Sequence, residues 1–141
     1  MKAWLILAAL WLVAGCSKDE RRDPKAEIVS ETLRHIEKVG PAVARLGKVS
    51  QVTPPTQVAA ELRLVARDLG QWKGEYRTLR AKMLMRNVSQ AQHSEVNRRY
   101  KAAIEDMQLK VEQLERVVSR RSDTHLFYSD LLRVRQIVRE L

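Results

Sequence analysis

Few side chains in this 141-residue chain have the type and spacing that chemistry requires. Its one thiol is Cys16, which excludes a disulfide within the chain and nearly excludes a thiolate metal site. His35, His93 and His125 stand far apart, whereas a metal needs ligands gathered on one face, so neither a metal nor a cofactor is expected. The chain has no Gly-rich phosphate loop and no serine at a nucleophile elbow. Glu105-Asp106 and Glu112 with Glu115 are paired acids, but on an outward helix face such pairs act as solvated ion-pair partners. These residues point to a protein that binds rather than catalyses.

Charge is what the chain has in quantity. Lys and Arg number 26 against 17 Asp and Glu, a net +9. Such a balance favours contact with anionic surfaces and is silent about fold. Basic residues cluster at Arg77-Arg80-Lys82-Arg86, at Arg98-Arg99-Lys101 and at Arg116-Arg120-Arg121. The first two clusters flank a predicted turn at Asn87 to Ser89, which gathers Arg80, Lys82, Arg86, Arg98 and Arg99 at one end of a hairpin. These five are the candidate contact for an anion or an acidic partner. Trp72, Tyr76 and Tyr100 fall on apolar seams, where core packing is the simpler role than ligand stacking.

The elements that must position these residues are all helical. From Asp23 onward Gly and Pro are confined to a few places and no apolar-polar alternation marks a strand. Asp23-Pro24 reads as an N-cap followed by proline at the first helical position, with Val29, Leu33, Ile36, Val39, Val43 and Leu46 on one face. Gly40-Pro41 predicts a kink or short break in that helix. Thr53-Pro54-Pro55-Thr56 marks a connection, and the next helix begins at about Pro54 or Gln57. Val58, Leu62, Val65, Leu69, Trp72, Tyr76, Leu79 and Met83 then alternate four and three apart, a heptad seam. Ser89 with Gln92 makes a capping box for the returning arm. That arm carries His93, Asn97, Tyr100, Ile104, Met107, Val111, Leu114 and Val118 on its seam, with Val96, Ala103 and Val117 beside it. The phase breaks near Ser122-Asp123, a pair that can cap a last helix bearing Phe127, Leu131, Val134, Val138 and Leu141; one long bent helix is the alternative. The expected fold is an all-α antiparallel bundle of three to four helices, built on the long heptad hairpin as a single domain over residues 24–141.

Before this domain stands a different kind of segment. Met1-Lys2 is a short positive start, Ala3 to Val13 is an apolar run of eleven residues, and Ala14-Gly15 are small. That is the pattern of a signal peptide over residues 1–15, and the run is too short to span a bilayer core of roughly 30 Å comfortably. Leu12-Val13-Ala14-Gly15-Cys16 resembles the lipobox of bacterial lipoproteins. The resemblance implies diacylglyceryl transfer to the Cys16 thiol, cleavage before Cys16, and a mature chain of net charge +8 once Lys2 is removed. It also implies a cell-envelope location. Ser17, where an Asp would favour retention in the inner membrane, resembles the outer-membrane class facing the periplasm. Residues 16–23 then form the lipidated cysteine and a polar tether.

The expectation is a lipid-anchored, non-catalytic helical adaptor that holds an envelope protein partner. Its membrane contact is the acylated Cys16, and nucleic acid is not an expected partner. A helical periplasmic chaperone or stress sensor is the alternative, as is a binder of anionic lipid or lipopolysaccharide through the basic hairpin tip.

Overall fold

The computed structural model describes residues 22–141; the leader at 1–15, Cys16 and most of the tether lie outside them. Every regular element among the described residues is helical. The first, α1 (Pro24–Glu37), begins where the Asp23 carboxylate accepts the Lys25 backbone N–H at 3.0 Å, with Pro24 at the first position. The helix stops at Lys38-Val39 and resumes as α2 (Gly40–Leu46), the break that Pro41 imposes by lacking a backbone donor. After the proline-bearing link comes α3 (Pro55–Met85). All eight of its heptad positions, Val58 to Met83, are buried.

The hairpin turn is built from two caps in succession. Asn87 takes the left-handed conformation, with φ at 50°. The Val88 N–H donates to the Met83 carbonyl at 3.3 Å and the Asn87 N–H to that of Leu84 at 3.1 Å, the Schellman arrangement. Val88 and Met83, the residues whose apolar contact accompanies that motif, are both buried. Immediately afterwards Ser89 caps α4 (Gln90–Val118): its Oγ accepts the Gln92 N–H, and the Gln92 side chain accepts the Ser89 N–H, both at 3.3 Å. Ser89→Ala is expected to cost about 1 kcal/mol, read as a lower urea midpoint with unchanged slope. A cost near zero would mean that the box does not persist in water.

Beyond Val118 the chain turns, makes one 3-10 turn at Thr124–Leu126, and ends in α5 (Tyr128–Arg139), so two helices replace the single bent one. Asp123 does not cap α5. Its carboxylate accepts the Arg121 guanidinium twice, at 2.8 and 2.7 Å, and a charge-assisted fork outcompetes a neutral backbone donor. The same Arg121 donates to the Ser50 carbonyl at 2.8 Å and lies 5.4 Å from the Phe127 ring centre. It thereby ties the link after α2 to the turn after α4 at the end of the bundle opposite the hairpin turn.

Polar contacts between helices show the packing order. Arg45 with Glu61 and His35 against Trp72 set α1 and α2, end to end, antiparallel to α3. Arg63–Asp130 at 3.1 Å and Lys73–Glu140 at 3.4 Å set α5 parallel to α3, and Arg135–Glu115 sets it antiparallel to α4. α3 and α4 each pack against α1, α2 and α5. The result is an all-α bundle of four rods, one of them broken at Pro41, around a continuous apolar core.

In two places the buried stripe differs from the sequence expectation. On α1 it runs through Ile28, Thr32, His35 and Ile36, leaving Val29 and Leu33 half-covered. Near the start of α4, Val96 is fully buried while Asn97 is exposed. α5 explains the second case: the Tyr100 hydroxyl donates to the carbonyl of Leu141 at 3.2 Å, so the last helix ends beside Tyr100 and does not cover the turns before it. There α4 turns its apolar side toward α1 instead.

Candidate functional site

The five basic residues singled out from the sequence lie at the hairpin end but do not form one uniform patch. Arg80 donates to the Asn97 side chain, bridging α3 and α4. Arg98 donates to the Glu95 carboxylate at 2.9 and 2.8 Å, and Arg99 to the same group at 3.0 Å. Lys82, on the last turn of α3, lines a cleft toward α1. Arg86 donates to the Pro24 carbonyl at 2.9 Å, which brings the start of α1 to the hairpin turn.

The Glu95 trio carries a pH signature. Hydrogen bonds from Arg98, then from Arg99, hold the Glu95 carboxyl at about 2, below its ordinary 4.5. A group whose folded value is depressed stabilises the fold above its unfolded value, and that contribution disappears as pH falls from about 4.5 toward 2. A carboxyl-carbon NMR titration is expected to place Glu95 near the low value, and Glu95→Gln to remove that part of the acid dependence. A midpoint in the usual carboxylate range would show that the trio does not hold in solution.

The sequence did not single out His35, which the fold buries together with the aromatics. Its Nε2 lies 2.9 Å from the Trp72 carbonyl, an atom that can only accept, so Nε2 carries the proton. In return the Trp72 indole N–H donates to the His35 carbonyl at 3.0 Å. Trp72 stacks against His35, Tyr76 and Tyr100 at 6.0, 6.2 and 5.3 Å between ring centres, and Tyr76 and Tyr100 lie face to face at 3.7 Å. Burial raises the hydroxyl of each tyrosine above its ordinary value, so both remain protonated. Trp72, Tyr76 and Tyr100 are thus part of the packed interior.

On its other edge His35 Nδ1 stands 3.3 Å from the Glu75 carboxylate. The two line a cleft of about 270 Å³ with Glu31, Lys38, Thr78 and Lys82. Glu31 precedes His35 by four residues, the spacing that puts two ligands on one helix face, a pairing the sequence reading passed over. No group of three or more His, Cys, Asp or Glu among the described residues is placed to hold a metal ion.

The larger opening lies between α2 and α4. It has a volume of about 620 Å³, with Val43, Ala44, Leu46, Val49, Leu114 and Val117 supplying apolar wall and Lys48, Lys110 and Asp106 the charge. It adjoins a hollow of about 270 Å³ toward α1, which shares Gly40, Val43 and Asp106. Of the five basic candidates, Arg99 lines this second hollow. Together they make a trough along the side of the bundle, opened where Pro41 breaks the first rod. Ala44 and Val117 lie beside the core stripes in the sequence, but that this flank stays open is set by how α2 packs against α4 beyond the break at Pro41.

Among the described residues no helix is long and apolar enough to cross a membrane. No protein family, curated protein or solved structure matches this chain.

Proposed function

We propose that this protein is a lipid-anchored, non-catalytic adaptor of the bacterial cell envelope, outer membrane facing the periplasm, whose bundle holds a protein partner in the trough between α2 and α4. The observation that carries the reading is the trough itself. Its wall is apolar, its volume of about 620 Å³ suits a short helical or extended segment, and Lys48 and Lys110, two cations against the single Asp106, favour acidic residues flanking that segment. The lipobox-like Leu12-Val13-Ala14-Gly15-Cys16 supports the anchor, because two or three acyl chains on one cysteine give durable attachment where a single chain binds only reversibly.

The test is site-directed photocrosslinking in intact cells. A crosslinker at Gln113, in the trough, is expected to capture one recurrent protein that a crosslinker at Arg133 on α5 does not. Ala44→Arg, which places a charged side chain in the trough from an exposed position of α2, should abolish the capture while the helical circular dichroism stays unchanged. Identical capture from Gln113 and Arg133 would sink the adaptor reading.

A further inference from the structure

We infer that the hairpin turn is a second membrane contact, docking on the anionic headgroups of the leaflet in which Cys16 is anchored and standing the bundle on that end; the inference rests on the anchored reading above. The path of the chain is the first reason. Arg86 holds the Pro24 carbonyl at 2.9 Å, so the segment leading from Cys16 reaches the bundle beside the last turn of α3. Residues 16 to 23 span at most roughly 20 to 25 Å, which keeps the start of α1 within that distance of the acyl chains and the hairpin turn one arginine side chain further.

The surface there is of the kind that enters a headgroup layer. Leu84 and Met85 are 63% and 76% exposed on the last turn of α3, and Lys82 and Arg86 are exposed on the same turn. Arg22 and Lys25 are exposed where α1 begins, with the Asp23 and Glu27 carboxylates beside them, so Lys82 and Arg86 are the cations next to the apolar pair. Adjacent apolar side chains flanked by cations bind an anionic bilayer by burying the apolar pair while the cations stay among the phosphates. The opposite end also exposes apolar side chains, Val52 at 90%, Leu126 at 58% and Tyr128 at 51%, so it is the tether that distinguishes the two ends. α3 alone separates the two ends by about 46 Å at 1.5 Å per residue, further than the tether reaches.

The experiment uses the acylated full-length product in vesicles of phosphatidylethanolamine and phosphatidylglycerol, with phosphatidylcholine vesicles as the uncharged comparison. With Cys16 acylated, Met85→Cys or Val52→Cys supplies the only free thiol for an environment-sensitive fluorophore. Spin-labelled lipid is expected to quench the label at position 85 and not that at 52, with the contrast lost in phosphatidylcholine. Each of Lys82→Gln and Arg86→Gln should lower the docked-to-undocked ratio about fivefold. Leu84→Ser, at an exposed position, should weaken docking without altering the fold. Mass measurement of the same product separates the two claims. An acylated protein with position 85 unquenched, or with 85 and 52 quenched alike, overturns the docking and leaves the anchor standing; an unmodified Cys16 overturns both.

Discussion

Trp72→Ala is expected to lower the unfolding free energy by about 3–5 kcal/mol, a large share of the roughly 5–15 kcal/mol that a native domain ordinarily has. The side chain is 4% exposed and lies among His35, Tyr76 and Tyr100, so its loss removes both a large transfer contribution and the filling of the space between α1, α3 and α4. The hydrogen bond is the smaller part. The His35 carbonyl also accepts the Lys38 N–H at 3.1 Å, so removing the indole donor does not leave it orphaned. Trp72→Phe should therefore cost only about 1–2 kcal/mol, which separates ring burial from the indole bond. With a urea slope of about 1–3 kcal/mol per M, the Ala variant shifts the midpoint by roughly 2 M. Tyr128→Ala, at an exposed ring on α5, is the control and should stay within about 0.5 kcal/mol. A loss below about 1 kcal/mol for Trp72→Ala would mean that α1 is not held against α3 as described.

Loss of the Cys16 thiol is expected to have the largest effect on where the protein resides. At about 0.8 kcal/mol per buried methylene, two or three acyl chains make dissociation negligible, and the polar body offers nothing comparable. On the proposed anchor, Cys16→Ser should yield a product that keeps residues 1–15 and carries no lipid, because cleavage of lipobox-bearing precursors follows acylation. Exchange of residues 1–16 for a leader of the non-lipidated secretory kind should instead move the helical domain from the membrane pellet to the soluble fraction. Intact mass and fractionation read both outcomes. A wild-type product with an unmodified thiol and the leader in place would refute the anchor, and with it the adaptor held at the membrane.

The two stability arguments rest on features that the sequence reveals to very different degrees. The α3 seam is legible residue by residue, because α3 packs against α1, α2 and α5 and therefore buries the complete heptad stripe that its spacing announces. The Ser89–Gln92 box is equally legible, since both partners lie within one turn. On α1 hydropathy misleads. Thr32 and His35 are polar, so the neighbouring stripe through Val29, Leu33 and Ile36 is the more apolar one, yet Thr32 and His35 are buried. Thr32 Oγ1 can go inside because it donates to the Ile28 carbonyl at 2.7 Å, and His35 because the Trp72 carbonyl, 37 residues away, accepts its Nε2–H. The basic residues show the same division. Their types and positions are written in the chain, but Glu95 holds Arg98 and Arg99, and Asp123 holds Arg121 in place of capping α5.

By itself, then, the sequence determined the helical class, the break at Pro41, the turn at Asn87 to Ser89 and the α3 stripe, since each follows from spacings within a few residues. The tertiary structure alone decided which polar groups lie inside, which cations pair within the chain and where the trough opens between α2 and α4. Those outcomes depend on which distant atoms supply hydrogen-bond partners and on how α2 packs against α4, and no local pattern encodes either.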